Sequence, residues 1–260
     1  MLKDLFIRVA SERLAREAAG IAALNAGPEI YIQADRIKDF SPRAITATKK
    51  ILRDFRQHTI HAPFMDVWPG ATDADVRRLS LEKMARVMEI AAALESKLVV
   101  MHFNYDPVYY RQQFGRWLDR AAHFFSSLLQ GHAGPLIALE NIAEPTPFVV
   151  LQLMKKAGQP RLVHCFDFGH HNVFSSIPVE EWLFYLNPHG HIHFHFHDNC
   201  GSRDDHLALG QGNIDWLAAK KAIASMPCSF SIALEPHAAD IMRASAVFYQ
   251  EHFLCQSEPA

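Results

Sequence analysis

The chain has 260 residues, 49% of them hydrophobic, which is enough to bury a sizeable core and too much for a disordered chain or a disulfide-stapled miniprotein. Its 26 Lys and Arg against 28 Asp and Glu leave a formal charge of −2, so no global basic field draws it to nucleic acid. Histidine is the abnormal count, at 16, and the imidazoles are clustered rather than spread.

The first residues, MLKDLFIRVASERLAREAAG, hold one short apolar run followed at once by charges, without the apolar core or cleavage site of a secretory signal. No stretch reaches the roughly 20 apolar residues of a membrane span. The four cysteines, Cys165, Cys200, Cys228 and Cys255, are scattered with no CxxC pair, against a zinc ribbon or a redox dithiol. They are expected to be reduced, in a cytoplasmic protein.

Short β-rich runs alternate with longer stretches of helical period. In chain order the strands read as FIRVA (6–10), EIYIQ (29–33), HTIHAP (58–63), KLVVMHF (97–103), PLIALEN (135–141), LVHCFDFG (162–169), HIHFHFHD (191–198) and SFSIALEP (229–236). Between them, segments such as 73–96 and 108–131 repeat apolar residues at the spacing of amphipathic helices. Strict β-then-α alternation implies parallel strands and crossover helices, and eight units close most naturally into a (β/α)8 barrel of the α/β class. A doubly wound open sheet is the alternative. No Gly-, Pro- or Ser-rich linker divides the chain, so 1–260 reads as one domain with 256–260 as a loose tail.

Chemistry in such a barrel sits where the strands end. Six consecutive strands end in ligand-type residues: His61, His102 with Asn104, Glu140 with Asn141, Asp167 with His170, His195 with His197 and Asp198, and Glu235 with His237. A loop after the seventh strand adds Asp204, Asp205 and His206. Any one of these is more simply a helix cap or a satisfied polar residue. Together, Glu140, Asp167, Asp204 and Glu235 around one mouth would repel one another unless cations neutralise them, which points to divalent metal. Mixed imidazole and carboxylate ligands suit zinc or manganese, and also iron or cobalt, better than calcium.

His191, His193, His195 and His197 alternate with Ile192, Phe194 and Phe196, so the imidazoles share one face and the apolar residues face the helices. Only the last of them reach the mouth. His191 and His193 are expected to be hydrogen-bonded interior residues, with His189 at the strand entrance. Whether His195 or His197 is the ligand stays open. Asp215 reads as a helix N-cap. Gly210 and Gly212 fit either a turn or an anion cradle. Phe64, Trp68, Tyr105, Tyr109 and Tyr110 either wall a pocket or cover the mouth, and His171 and His237 adjoin proposed ligands.

The ordered series HAPF, MHF, ALEN, DFGH, HFHDN, DDHLALGQGNIDW and ALEP resembles the xylose isomerase-like TIM barrel superfamily, from strand three to strand eight. That superfamily contains metal-dependent sugar isomerases and epimerases, inosose dehydratases and the endonuclease IV phosphodiesterases. In the isomerase and epimerase branch, the resemblance implies one metal on Glu140, Asp167, His195 and Glu235. Glu140 and Glu235 would also exchange protons with the substrate, and His170 would reach a substrate oxygen. In the endonuclease IV branch it implies three zinc ions on those four residues plus His61, His102, His170, Asp204 and His206. One to three ions per chain are therefore expected.

Departures from endonuclease IV weigh against DNA. Glu140-Asn141 is followed by Ile142-Ala143-Glu144-Pro145 without a glycine, Phe168 follows Asp167 where that family has Thr, and the link from His195 to Asp204 is short. No loop clusters Arg and Lys with aromatic wedges. The expected activity is therefore metal-dependent isomerisation or epimerisation of a small sugar or polyol, with substrate contacts from His61, His102, Asn104, His197 and Arg203. The alternatives are a zinc phosphodiesterase acting on abasic DNA or a small phosphoester, a related dehydratase, and a non-catalytic barrel. The resemblance also implies pairing through barrel helices, for which the sequence carries no specific signal.

Overall fold

The computed structural model describes residues 5–132, 134–186 and 190–254. His189, Cys255 and the expected tail at 256–260 lie outside them. Eight strands form a closed barrel in sequence order: β1 (Leu5–Ala10), β2 (Gly27–Tyr31), β3 (Thr59–His61), β4 (Leu98–His102), β5 (Leu136–Glu140), β6 (Leu162–Asp167), β7 (Ile192–Phe196) and β8 (Phe230–Leu234). Every neighbouring pair is parallel, and β1 closes on β8 through Phe6 opposite Ala233. The open-sheet alternative is thereby excluded.

The principal helices are α1 (Leu14–Ala23), α2 (Pro42–Leu52), α3 (Ala74–Leu94), α4 (Pro107–Tyr110), α5 (Phe114–Gly131), α6 (Phe148–Ala157), α7 (Phe168–Phe174), α8 (Val179–Leu186), α9 (Trp216–Ala224) and α10 (Ala239–Tyr249). Asp73 caps α3 by accepting from the Asp75 and Val76 amides, and Glu95 ends it in the left-handed region at φ 67°. Asp215 caps α9 through the Leu217 and Ala218 amides, as its position in the sequence suggests. The stretch expected as one helix over 108–131 is divided. Asp106 caps the short α4, and Gln113 leaves helical geometry at φ −122° before α5 begins.

Strand β2 begins two residues earlier than expected. Gly27 and Pro28 pair with Phe6 and Ile7 at the barrel's base, where a proline costs least and a Cβ on Gly27 would collide with the Gln57 carbonyl.

Outward strand residues bury against the helices. Ile192, Phe194 and Phe196 of β7 pack with Trp182 and Leu183 of α8, Trp216 of α9 and Tyr249 of α10, all buried. Truncating Phe194 to Ala would cost about 3–5 kcal/mol. Inside the barrel, small apolar residues, Val100, Ala138 and Cys165, fill one layer. They set a floor beneath the polar strand ends.

Candidate metal centre

Register delivers the cluster. His102 lies opposite Glu140, Asp167 opposite His195 and Tyr31 opposite His61, so three neighbouring strand pairs bring their inward residues together at the barrel mouth. A single atom, His195 Nδ1, stands 3.2 Å from Glu140 Oε1, 3.3 Å from Glu235 Oε1 and 3.8 Å from Asp167 Oδ2. These are the four residues of the expected mononuclear set. His197 belongs to an adjoining group, with Nε2 3.1 Å from Asp167 Oδ1 and 3.5 Å from Asp204 Oδ1.

The remaining expected ligands arrive on either side. His61 Nε2 and His102 Nε2 lie 3.2 and 2.9 Å from Glu140 Oε2. His170 Nε2 and His206 Nε2 lie 3.4 and 3.2 Å from Asp204 Oδ2. Local structure explains the placement. Asp167 caps α7 by accepting the His170 amide at 2.7 Å, so that aspartate is a helix cap as well as a member of the cluster. Asp198 and Leu207 form an antiparallel bridge that folds Asp204 and His206 back over the strand ends.

Asp198 is itself no ligand: its carboxylate accepts from the Asn199, Gly210 and Ile214 amides and the Trp216 indole, anchoring that loop. Gly210 therefore serves the loop, and a Cβ on Gly212 would collide with Asp198 Oδ1. His206 sits where it does at a backbone cost, with φ at 49°.

The donor set fits a cation. His61, His170 and His206 each donate Nδ1–H to a main-chain carbonyl, of Ala62, Asn141 and Glu235, at 2.8, 2.9 and 3.2 Å. That fixes each ring and leaves Nε2 directed at a carboxylate, an arrangement that needs either a second proton or a metal between the two. Buried His197 Nδ1 and Glu235 Oε1 have no hydrogen-bond partner among the described residues. Ligand atoms of Glu140, His61 and His102, of Asp167, His170 and His197, and of His61, His195 and Glu235 each fall within 4.8 Å of one another.

Electrostatics agree. Burial opposes the charge on Glu235, yet Arg8, His195 and His206 hold its carboxyl down at about 2. Burial also opposes the charge on Glu140, and His102 and His195 keep that carboxyl well below its usual range. On His170 burial is outweighed by Asp167, Asp204 and Glu140, which push it up to about 10.

Three contributors escape a reading of strand ends. Glu29, fully buried on β2, accepts from Thr59 and His193 at 2.9 Å and stands 3.0 Å from His195 Nε2. Arg8, on β1, lies 3.3 Å from Glu235. Glu144 is buried in the loop before α6, accepts the Ile142 amide at 2.7 Å, and burial pushes its carboxyl up to about 7. The signal in each case is a charged residue with apolar neighbours in the chain.

Two proposed substrate contacts sit elsewhere. Asn104 donates its amide to the Phe64 and Val67 carbonyls, clamping two loops together. Arg203 is 80% exposed and pairs with Asp205. His193 is an interior residue bonded to Ser231, as expected, whereas His191 is only half-buried before β7 and bonds to Ser229 and Ser231. His171 reaches the Ile177 carbonyl, while His237 stacks on His206 at 4.1 Å. Phe64 stacks on His102 at 4.6 Å and so walls the site, whereas Tyr105 packs on Trp117 at 4.8 Å and covers the helices.

Residues 15–252 match the xylose isomerase-like TIM barrel family. The chain belongs to that family. The uncharacterized protein MJ1311 of Methanocaldococcus jannaschii is 31% identical over 186 residues, 68% of this chain and 63% of that protein, so the chain spans less than two thirds of that relative. A crystal structure of a D-tagatose 3-epimerase-like protein shares 25% identity at a TM-score of 0.84, covering 96% of this chain and 97% of that one. The TTHB071 protein from Thermus thermophilus, soaked with ZnCl2, has the same fold at a TM-score of 0.77 and 23% identity, covering 96% and 98%. No helix among the described residues of this xylose isomerase-like barrel is long and apolar enough to cross a membrane.

Proposed function

We propose that this barrel is a divalent-metal-dependent isomerase or epimerase of a small sugar or polyol derivative. The observation that carries the reading is the convergence of Glu140, Asp167 and Glu235 on His195 Nδ1, within 3.2 to 3.8 Å. The likeness to a D-tagatose 3-epimerase-like protein supports the choice of substrate class.

Glu140, Asp167, His195 and Glu235 would hold the ion, zinc or manganese by donor type. A bound divalent ion polarises a carbonyl and an adjacent hydroxyl and makes the C–H between them acidic. The chain's own residues do the rest. Glu140 and Glu235, on β5 and just past β8, are the carboxylates available to take a proton from carbon and return it. His170 donates to a substrate oxygen. The Phe64 ring, stacked on His102, excludes water on one side.

Deuterium incorporation from D2O into a panel of ketoses and aldoses, with elemental analysis of the same protein, tests the reading. Exchange at the carbon next to the carbonyl is expected, and Glu140→Gln or Glu235→Gln should abolish it with the fold intact. No exchange by metal-loaded protein on any sugar would overturn it.

A second reading, a multinuclear zinc phosphodiesterase, is favoured by one observation: His61, His102, His170, Asp204 and His206 flank the central set within contact distance. Two or three zinc ions per chain, with cleavage of an abasic-site duplex or a small phosphodiester, would establish it.

A further inference from the structure

Between the ends of β8, β1 and β2, on the same face as the cluster, lies a pocket of ≈ 280 Å³. Arg8, Arg13, Tyr31 and His237 form its polar wall, Val9 and Pro236 its apolar one, and no carboxylate lines it. Arg8 is the unusual member. Its side chain is only 14% exposed, its Nε lies 3.3 Å from Glu235 Oε1, and its guanidinium lies 4.5 Å over the Tyr31 ring. The ion pair leaves the buried Nε without a hydrogen bond, and the Tyr31 ring covers one face of the fork. Neither Nη atom makes a hydrogen bond among the described residues and neither is sealed off as Nε is, so both stay open to the pocket. Arg13 joins from the turn after β1, its Nε held by Glu17 at 2.7 Å.

Two guanidinium groups around one small cavity, with donors of the more buried one free, match the planar two-point geometry of an oxyanion. We infer that this pocket receives a terminal phosphate or carboxylate, so the substrate is an anionic sugar derivative and not a neutral sugar. The inference rests on the isomerase reading for the rest of the substrate. Arg8 touches Glu235, and Glu235 touches His195, so the anion is seated one side chain from the reacting end. Because β1 follows β8 around the barrel, the substrate lies across the seam where the first and last strands meet.

The experiment compares kcat/KM of metal-loaded protein on matched sets: a neutral ketose, the same ketose with a terminal phosphate, and the same with a terminal carboxylate. One anionic member should exceed the neutral one at least about tenfold, and which one does so identifies the anion. Arg8→Gln and, separately, Arg13→Gln should each lower that preference at least about fivefold, chiefly through KM, with metal content unchanged. Taking the ratio of substrates cancels any effect of Arg8 on Glu235. Equal turnover of neutral and anionic sugars would overturn the inference and leave the isomerase reading standing. If no sugar is turned over, that reading fails, and calorimetry with inorganic phosphate decides the pocket alone. Binding weakened in both variants supports it, and binding unchanged in both overturns it.

Discussion

Glu29 Oε1 stands 3.0 Å from His195 Nε2, on the side of the ring away from the Nδ1 atom that faces Glu140 and Glu235. A carboxylate in that place orients the imidazole and raises its basicity as a ligand. It is itself fully buried. Burial opposes its charge, but His195 and His193 keep Glu29 well below the usual carboxyl range.

Glu29→Gln should therefore weaken metal binding about 10- to 100-fold while touching no ion itself. A competition titration against a fluorescent zinc chelator measures this. Unchanged affinity would show that Glu29 serves only Thr59 and His193.

Zinc loading at pH 7 should release protons. Burial resists the charge on His170, but Asp167, Asp204 and Glu140 push it up to about 10, so the ring is protonated at neutral pH: it can donate to a substrate oxygen on the isomerase reading, and must lose that proton to ligate on the multinuclear one. Affinity should fall as the pH is lowered. Calorimetry in buffers of different ionisation enthalpy counts the protons, and a count unchanged in His170→Asn would show that His170 stays outside the coordination sphere.

Gly169→Ala should disable the centre without unfolding the barrel. A Cβ there would collide with His197 Cε1, so the ring must move from Asp167. Overpacking of this kind costs about 1–3 kcal/mol. Lost metal stoichiometry with a modest drop in Tm is the expected result. Gly115→Ala, with nothing within 4 Å, is the control that leaves both unchanged.

Glu144 gives stability a pH slope. Burial raises its carboxyl from 4.5 to about 7, so the favourable contribution is complete below pH 4.5 and is lost as the pH rises through about 7. Across that window the loss is on the order of 3 kcal/mol. Glu144→Gln should raise Tm at pH 8 and flatten its decline between pH 5 and 8. A parallel decline in both proteins would refute this.

Most of this molecule is legible from its residues because the barrel repeats one rule eight times. Runs such as LVVMH and LIALE end in a ligand type, and period-two alternation decides which side chains face inward. That logic places His61, His102, Glu140, Asp167, His195 and Glu235, and the D-x-x-H and D-x-H spacings place His170, Asp204 and His206. It misses Glu29 and Arg8 because neither ends a strand, and the partners that make them matter come from β7 and the end of β8, far away in sequence. It misjudges Asn104 because a polar residue past a strand end can as easily tie two loops as meet a ligand, and only the Phe64 and Val67 carbonyls decide between these.

Glu140 carries His61 and His102 on one oxygen and His195 on the other, so ions held on its two sides would share a ligand and be thermodynamically linked. An ion seated on one oxygen draws charge from the other and repels a second cation arriving beside it. On the multinuclear reading the positions would therefore fill in order rather than independently, and the amount of free metal would set which form of the centre the protein presents.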